Sequence, residues 1–253
     1  MTDHPIIALW AHPRSMSTAT ERVARTRGDL DCAHEPFMYD YYVHRRAGHT
    51  PHFDVQPDHP TRYSSIRDML LERAGRGPVF FKDMAYYVLP YLPEDAAFAA
   101  RLRHVFLVRD PHAALASYHG LDADFTCEEA GIEAQWRLFE ALEGMGHAPL
   151  VLRSEDIRAN PAAMMRALWD HAELADAPGA LNWDGPPPED WAQVSAWHAA
   201  ATGSTSIRPM AADHAERAIA RFEAAAEVTP RLREVLAHHQ PFYERLCARA
   251  FRP

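Results

Sequence analysis

The sequence predicts an α/β fold in which a central parallel sheet lies between two layers of helices. Residues 6–10, 105–108 and 149–152 are short apolar runs, which are typical of strands buried on both faces. A segment with helical spacing follows each run, and strands that alternate with helices favour parallel pairing. We therefore expect a three-layer α/β sandwich, built as one domain over residues 1–253.

The first strand is followed by a loop rich in hydroxyl side chains, PRSMST at residues 13–18. Thr18 and Glu21 fit a capping box, which predicts that a helix begins there. Unpaired N–H groups at a helix start attract anions, and Arg14 adds forked donors that suit phosphate or sulfate oxygens. The loop has neither the G-x-x-x-x-G-K-[ST] pattern of nucleoside triphosphatases nor the G-x-G-x-x-G pattern of dinucleotide binding. Taken alone, it is equally consistent with an ordinary turn before a capped helix.

A second strand-to-helix junction places Arg109 directly after the second apolar run. Open α/β sheets bind ligands at the carboxyl ends of their strands, so Arg109 is a candidate anion ligand. Pro111 suits the first position of a helix, and Ser117 then lies about two turns into it. Alternatively, Arg109 pairs with the carboxylate of Asp110 or Glu155, and Ser117 is an ordinary helix residue.

These segments resemble the sulfotransferases that use 3′-phosphoadenosine 5′-phosphosulfate (PAPS). The 5′-phosphosulfate loop of that family has a P-[KR]-S-x-[ST]-[ST] core, which residues 13–18 match. Its 3′-phosphate motif pairs an arginine after a strand with a serine eight residues later, as in Arg109 and Ser117. A third stretch, SEDIRANP at residues 154–161, is similar to the Tyr-Glu-Asp-Leu turn and proline of many members. The resemblance covers roughly residues 5–175, with the motifs in the expected order.

The resemblance implies a P-loop-like sulfotransferase fold that binds PAPS as co-substrate. It assigns the 5′-phosphosulfate to five residues of the first loop: Arg14, Ser15, Met16, Ser17 and Thr18. It assigns the 3′-phosphate to Arg109 and Ser117. In this family a late loop also folds over the 3′-phosphate and adenine. Its counterparts here would be Gly203, Ser204 and Arg208, although a plain surface turn is equally consistent.

Three positions depart from the family pattern. Met16 stands where many members have glycine, and Arg14 stands where many have lysine, so the charge is kept but its geometry changes. Many eukaryotic members carry a catalytic histidine in a Lys-Thr-His stretch, which corresponds here to Lys82, Asp83 and Met84. The lysine therefore matches and the histidine does not.

Another residue must then accept the proton of the attacking hydroxyl or amine. Glu35 is the first candidate, because it follows the second strand and some bacterial sulfotransferases resemble this arrangement. Asp83 is the rival and His34 a distant third, while a capping or salt-bridged role for Glu35 is the alternative. Lys82 would stabilise the bridging oxygen as the phosphosulfate bond breaks, unless it is a solvated strand-end lysine. Arg14 would hold the sulfuryl and 5′-phosphate oxygens.

The remaining segments surround the sheet. Helical spacing predicts helices over residues 65–75, 161–174, 213–226 and 230–250, the last two within a helical C-terminal part that spans about 189–253. Thr126 and Glu129 fit a second capping box. Residues 39–64 are rich in aromatic residues and prolines, and we expect an irregular loop that covers the acceptor site. This loop also contains histidines without paired ligand spacing, so no metal is expected there: His44, His49, His52 and His59.

The bulk composition excludes several classes of protein. The chain is 47% hydrophobic with a formal net charge of −9, which disfavours general nucleic-acid binding and requires a local positive pocket for a nucleotide. Cys32, Cys127 and Cys247 lack metal spacing, and their odd number favours reduced thiols in a cytoplasm. The first residues are acidic and polar, and no apolar run reaches the length of a membrane span. We expect a cytoplasmic protein of bacterial type. Both a monomer and a homodimer are consistent with the sequence.

The predicted function is transfer of a sulfuryl group from PAPS to a hydroxyl or amine of a small-molecule acceptor by in-line displacement. No metal is required, because cationic side chains can supply the electrostatics. One alternative is a kinase-like phosphotransferase that uses ATP, against which the missing lysine of the triphosphatase loop argues. The other is a nucleotide-binding protein of the same fold without catalytic activity.

Overall fold

The computed structural model describes residues 4–51 and 53–253, without the side chains of residues 199 and 200. Residues 1–3 of the predicted domain and His52 lie outside the described residues. The described chain forms one sheet of five strands: β1 (Ile6–Ala11), β2 (Asp31–His34), β3 (Val79–Met84), β4 (Leu102–Val108) and β5 (Leu150–Arg153). The strand order is β2-β3-β1-β4-β5, and all four pairings are parallel. The predicted central parallel sheet is confirmed.

Helices cover both faces of the sheet. In chain order they are α1 (Ser17–Arg27), α2 (Tyr63–Ala74), α3 (Ala85–Val88), α4 (Ala96–Ala99), α5 (Pro111–His119), α6 (Ile132–Gly144), α7 (Ser154–Ala159), α8 (Pro161–His171), α9 (Ser195–Thr202), α10 (His214–Val228) and α11 (Arg231–Ala248). Short 3₁₀ turns at Leu92–Glu94, Glu128–Ala130, Pro178–Leu181 and Glu189–Val194 complete the connections. None of the helices in the described chain is both long enough and apolar enough to cross a bilayer.

The side chains of the central strand alternate between the two helical layers, as the period of two in a strand requires. Ile7 belongs to a buried cluster with Leu168 of α8, whereas Trp10 belongs to a cluster with Ile66 of α2 and Leu142 of α6. Burial of each such side chain stabilises the fold by about 1.5–3 kcal/mol. A continuous apolar run is therefore needed in β1, because neither of its faces meets water.

The topology opens a crevice at the carboxyl edge of the sheet. β1 lies between β3 and β4. The connection that follows β1 leads to β2 on one side of it, whereas the chain later continues from β3 to β4 on its other side. Ligands of open α/β sheets bind at such a change of direction. The residues that follow β1, β2, β4 and β5 all lie at this edge.

Helix α1 begins without the predicted capping box. Its N-cap is Met16, with φ 73°, and no side chain of the described residues caps it. Thr18 is the second helical residue, and its Oγ1 lies 3.2 Å from Nδ1 of His198. Glu21 is buried and accepts hydrogen bonds from distant side chains. The capping-box prediction for Thr18 and Glu21 was wrong, because tertiary contacts occupy both side chains.

The hydrogen bonds of the second capping box are present, but the helix expected to follow it, α6, begins later, with Gly131 as its N-cap. The backbone N–H of Thr126 donates to Oε2 of Glu129 at 2.8 Å, and that of Glu129 donates to Oγ1 of Thr126 at 3.2 Å. The segment it opens is the 3₁₀ turn Glu128–Ala130, directly before α6.

Residues 39–64 contain more regular structure than the sequence predicts. Tyr39–His44 form a π-helical turn, and α2 already begins at Tyr63. Pro51, which lies between them, contacts α9, where Trp197 Nε1 donates to the carbonyl oxygen of Pro51 at 3.0 Å.

Candidate active site

A cavity of about 280 Å³ lies at the carboxyl edge of the sheet. Nine residues that the sequence predicts for the site line it: Arg14, Met16, Ser17, Thr18, Glu35, Lys82, Arg109, Ser204 and Arg208. The first four follow β1, Glu35 follows β2, Lys82 lies within β3, and Arg109 follows β4, so the parallel sheet brings these seven to one edge. Ser204 and Arg208 come from the segment after α9.

Four other predicted residues lie outside this lining. Ser15 is fully buried, and its Oγ has no hydrogen-bond partner among the described residues. Ser117 accepts a hydrogen bond from another predicted site residue, and Gly203 accepts one from Arg208 Nη2 at 3.0 Å through its carbonyl oxygen. Asp83 is buried on the opposite side of β3 from Lys82, as adjacent strand residues are.

The first loop and the residues after β4 are directly joined. Arg14 Nε donates to Ser117 Oγ at 3.0 Å, and Arg109 Nη1 donates to the carbonyl oxygen of Arg14 at 2.7 Å. The backbone N–H of Arg109 donates to Nε2 of His12 at 3.1 Å. Arg14 has φ 64°, in the left-handed region, and this conformation is held in place by these contacts.

The guanidinium groups of Arg14 and Arg109 donate their hydrogen bonds to neutral oxygens rather than to carboxylates. Arg14 donates to Ser117 Oγ and to the carbonyl oxygen of Trp197 at 2.7 Å, while Arg109 donates to a carbonyl oxygen. Burial lowers the pKa of both arginines from their usual value, and the nearby Arg109 lowers that of Arg14 further. Arginine stays protonated in proteins, so an anion in the cavity would relieve this repulsion.

Glu35 and Lys82 form a buried ion pair on the cavity wall. Lys82 Nζ donates to Oε1 of Glu35, and Tyr87 Oη donates to Oε2 at 3.3 Å. Nε2 of His34 lies 3.9 Å from Oε1 of Glu35. Glu35 has φ 43°, so the chain makes a left-handed turn where it leaves β2. In such a pair the carboxylate can accept a proton, and the lysine ammonium can stabilise a negative charge that develops nearby.

Asp83 is placed differently from Glu35. Its Oδ2 accepts the backbone N–H of Phe37 at 3.1 Å, and its Oδ1 has no partner among the described residues. Burial raises the pKa of this carboxyl well above its usual range, and the charge of Glu35 raises it further. Asp83 therefore supports the turn after β2 from beneath, away from the cavity.

An aromatic wall faces the ion pair, formed by Tyr42, Tyr86, Tyr87, Tyr118 and Trp197. The Tyr86 and Tyr87 ring centroids are 4.7 Å apart, and those of Tyr118 and Trp197 are 5.6 Å apart. Sequence reasoning pointed to aromatic residues only in the loop that holds Tyr42. It missed the pair after β3, whose only signal was two adjacent tyrosines following an apolar run.

The third motif connects the other two. The hydroxyl of Ser154 lies within hydrogen-bond distance of the carbonyl oxygens of Ser15 and Val108. Arg158 lines the cavity and donates to the carbonyl oxygen of Arg208 at 2.9 Å. Neither Ser154 nor Arg158 was singled out as a site residue, although both lie in the SEDIRANP stretch.

One group of potential metal ligands occurs away from the cavity among the described residues. Ligand atoms of Cys127, His238 and His239 lie within 4.8 Å of one another. The backbone N–H of Glu133 donates to Nδ1 of His239 at 3.2 Å, so the ring proton is on Nε2, which donates to the carbonyl oxygen of Cys127 at 2.8 Å. A metal on Nε2 would move that proton to Nδ1, against the N–H of Glu133, so this arrangement does not fit a metal.

A family profile described as "Sulfotransferase domain" matches residues 5–250. Two solved structures share the fold. The sulfotransferase domain of the olefin synthase from Synechococcus PCC 7002 has a TM-score of 0.57 and 15% identity, covering 90% of this chain and 96% of that domain. The sulfotransferase domain from the curacin biosynthetic pathway has a TM-score of 0.55 and 14% identity, covering 90% and 98%. Both have the P-loop-like α/β fold.

Two curated relatives come from Arabidopsis thaliana. Branched-chain-amino-acid aminotransferase-like protein 2 is 24% identical over 205 residues, which is 80% of this chain and 36% of that protein. Protein 1 of the same name is 23% identical over 210 residues, which is 82% of this chain and 37% of that protein. The chain thus spans little more than a third of the length of these relatives.

Proposed function

The chain belongs to the sulfotransferase domain family, and on that premise we propose that it transfers a sulfuryl group from PAPS to a hydroxyl or amine of a small molecule. One observation carries the proposal. Arg14, Arg109 and Lys82 converge on one cavity with the uncapped start of α1, and the two arginines there are bonded to neutral oxygens. In a chain of net charge −9, this is a local site for a polyanion.

The residues present fit the donor nucleotide. The first turn of α1 has backbone N–H groups without intrahelical partners, and these suit phosphate or sulfate oxygens. Arg109, with Arg158 beside it, would hold the 3′-phosphate, and Arg14 the 5′-phosphosulfate.

The ion pair supplies the groups for the transfer. The acceptor oxygen would attack sulfur while the bond from sulfur to the bridging oxygen breaks, so the sulfuryl group changes partner with no other redox or covalent change. Glu35 would take the acceptor proton. Lys82 would stabilise the negative charge that develops on the bridging oxygen of the 5′-phosphate. Tyr87 would hold Glu35 toward the acceptor, because it already donates to its second oxygen.

The aromatic wall favours a flat or apolar acceptor without charge. Its rings bring phenol hydroxyls and apolar faces next to Glu35, and Met38 and Met84 extend the apolar surface. The charged groups of the described lining are the Glu35–Lys82 ion pair and the four arginines assigned to the anion: Arg14, Arg109, Arg158 and Arg208. A phenol or an apolar alcohol would therefore be preferred over a charged or highly polar acceptor.

The test is calorimetric titration with adenosine 3′,5′-bisphosphate, with AMP and ATP–magnesium as controls. Micromolar binding of the bisphosphate, with AMP much weaker, is the expected result. Release of the bisphosphate from PAPS in the presence of phenols would then report transfer. Equal binding of AMP and the bisphosphate would contradict the assignment of the 3′-phosphate. Tight ATP binding with magnesium-dependent turnover would replace sulfuryl transfer by phosphoryl transfer.

A further inference from the structure

A chain of hydrogen bonds runs from the protein interior to the cavity. Oε2 of Glu21 lies 2.7 Å from Nδ1 of His34, whose Nε2 lies 2.9 Å from Nε2 of His198. Nδ1 of His198 lies 3.2 Å from Oγ1 of Thr18, which lines the cavity. Glu21, His34 and His198 are all buried, and His198 also lines the cavity.

The chemistry of Glu21 fixes the direction of every hydrogen bond in this relay. The Glu21 carboxylate is paired with Arg25 and accepts the N–H of Trp191, so it offers only acceptors. His34 must therefore carry its proton on Nδ1, which leaves its Nε2 as an acceptor for the N–H of His198. Nδ1 of His198 is then an acceptor in turn, and it takes the single hydroxyl hydrogen of Thr18.

Thr18 consequently presents lone pairs to the cavity. A phosphate or sulfate oxygen beside it would meet another acceptor, which is unfavourable for a buried polar contact. One added proton reverses the relay. A doubly protonated His34 donates from Nε2 to His198, His198 donates from Nδ1 to Thr18, and the hydroxyl of Thr18 is free to donate to the anion. Only hydrogen atoms change position.

We propose that binding of a phosphate or sulfate oxyanion at the first loop is coupled to the uptake of one proton from solvent by the His34–His198 pair. This proton turns Thr18 from an acceptor into a donor toward the ligand. The inference rests on the proposed function, because it takes residues 13–18 as the anion site. His34 and His198 are positioning residues in this account, since they act on the ligand through the hydroxyl of Thr18.

The surroundings of His34 and His198 keep both rings neutral in the absence of an anion, which is the starting state that the coupling requires. Burial lowers the pKa of His34 and of His198, and the charge of Lys82 lowers both further, so both rings are neutral before an anion binds. The negative charge of an incoming anion acts in the opposite direction. Charged groups from the neighbouring elements face the two histidines. They are Arg14, Glu21, Arg25, Glu35 and Lys82, together with Asp190, which pairs with Arg25.

The coupling is measured by titrating the protein with adenosine 3′,5′-bisphosphate in buffers of different ionisation enthalpy. At about pH 7.5 the phosphates of this probe are mostly fully ionised. Wild type should take up about one proton more than Thr18→Val, and its affinity should fall about tenfold for each unit of pH increase where that of Thr18→Val changes less. Thr18→Ser keeps the hydroxyl and should restore the wild-type proton number. Thr26→Val is the matched control, because the hydroxyl of Thr26 donates within α1 to the carbonyl oxygen of Arg22.

Equal proton uptake by wild type and Thr18→Val, with binding intact, would overturn the coupling and leave the proposed function standing. Absence of bisphosphate binding by wild type would instead overturn the proposed function and the coupling together. Nitrogen NMR of the histidine rings tests the relay without ligand. The proposal requires a proton on Nδ1 of His34 and on Nε2 of His198, and the opposite tautomers would contradict it.

Discussion

Arg109 Nη1 donates to the carbonyl oxygen of Arg14 at 2.7 Å, so the two motifs that were predicted to hold opposite ends of a nucleotide are directly joined. Arg14 in turn donates to Ser117, the serine of the second motif. The guanidinium of one motif thus fixes the backbone of the other. Loss of either arginine would therefore disturb both halves of the anion site.

Arg109→Ala should weaken binding of adenosine 3′,5′-bisphosphate by about 10- to 100-fold, because charge-assisted hydrogen bonds contribute about 1.5–3 kcal/mol. Calorimetry on the bisphosphate and on AMP measures this. Arg137→Ala is the control, since Arg137 is exposed on α6 and pairs with Glu133 of the same helix, away from the cavity. An equal loss of AMP and bisphosphate affinity would mean that the loop had collapsed, and that Arg109 does not contact the 3′-phosphate.

Glu35→Gln should lower turnover by about 10²- to 10⁴-fold, the usual contribution of a positioned base. Affinity for the bisphosphate should stay near that of wild type, because Lys82 and the arginines are kept. Steady-state kinetics and calorimetry separate the two effects. Asp83→Asn is the comparison, and its turnover should stay within a few fold of wild type because Asp83 lies away from the cavity. The reverse result would move the base to Asp83.

Trp197→Phe should raise the KM for the acceptor by about 3- to 10-fold, the usual cost of a lost hydrogen bond. The variant keeps an aromatic ring on the wall but loses the N–H that donates to Pro51. The KM for PAPS should not change, because the hydrogen bond from Arg14 goes to the backbone carbonyl oxygen of Trp197, which the variant keeps. Trp136→Phe on α6 is the control, as its N–H has no partner among the described residues. A rise in the KM for PAPS alone would contradict the assigned role.

His12→Gln should reduce the acid sensitivity of the fold. Burial lowers the pKa of His12 from 6.5 to about 3, and the positive charge of Arg109 contributes to this lowering. The unfolded chain therefore binds more protons than the folded one between these values. Wild type should lose about 1.4 kcal/mol of unfolding free energy from this residue for each pH unit below about 6.5.

Urea unfolding at about pH 7.5 and 5 tests this, and the difference between wild type and His12→Gln should shrink by about 2 kcal/mol at the lower pH. His49→Gln, a change at an exposed loop residue, should leave the pH dependence of wild type unaltered. A difference between wild type and His12→Gln that does not change with pH would show that His12 is not held neutral.

The parallel sheet and the identity of its edge residues could be predicted from the sequence because their signals are local. A strand buried on both faces needs a continuous apolar run, and the residue after it is fixed by chain order. Arg14 and Arg109 were found in this way, and the resemblance to sulfotransferases added Glu35 and Lys82; all four line the cavity. Their roles in binding and catalysis are still predictions.

The partners of these residues could not be predicted, because they are distant in the chain. Glu21 fits a local capping pattern with Thr18, yet it is used by His34 and by Trp191, which lies on another segment. His198 reaches His34 across 164 residues, and no spacing rule connects them. Glu21 makes buried hydrogen bonds with distant residues instead of the local capping bond. Sequence patterns do not show which residues become buried together, so this outcome could not be predicted.

Arg14, Met16 and Glu35 are three of the five non-glycine residues with positive φ in the described chain, and all line the cavity. Such conformations cost about 1–3 kcal/mol each, and the rest of the fold must compensate for them. The benefit is preorganisation, since the loop is ordered during folding rather than when the nucleotide arrives. Glycine in place of Met16 would relieve the strain there but return conformational freedom to the loop, so thermostability and affinity would change in opposite directions.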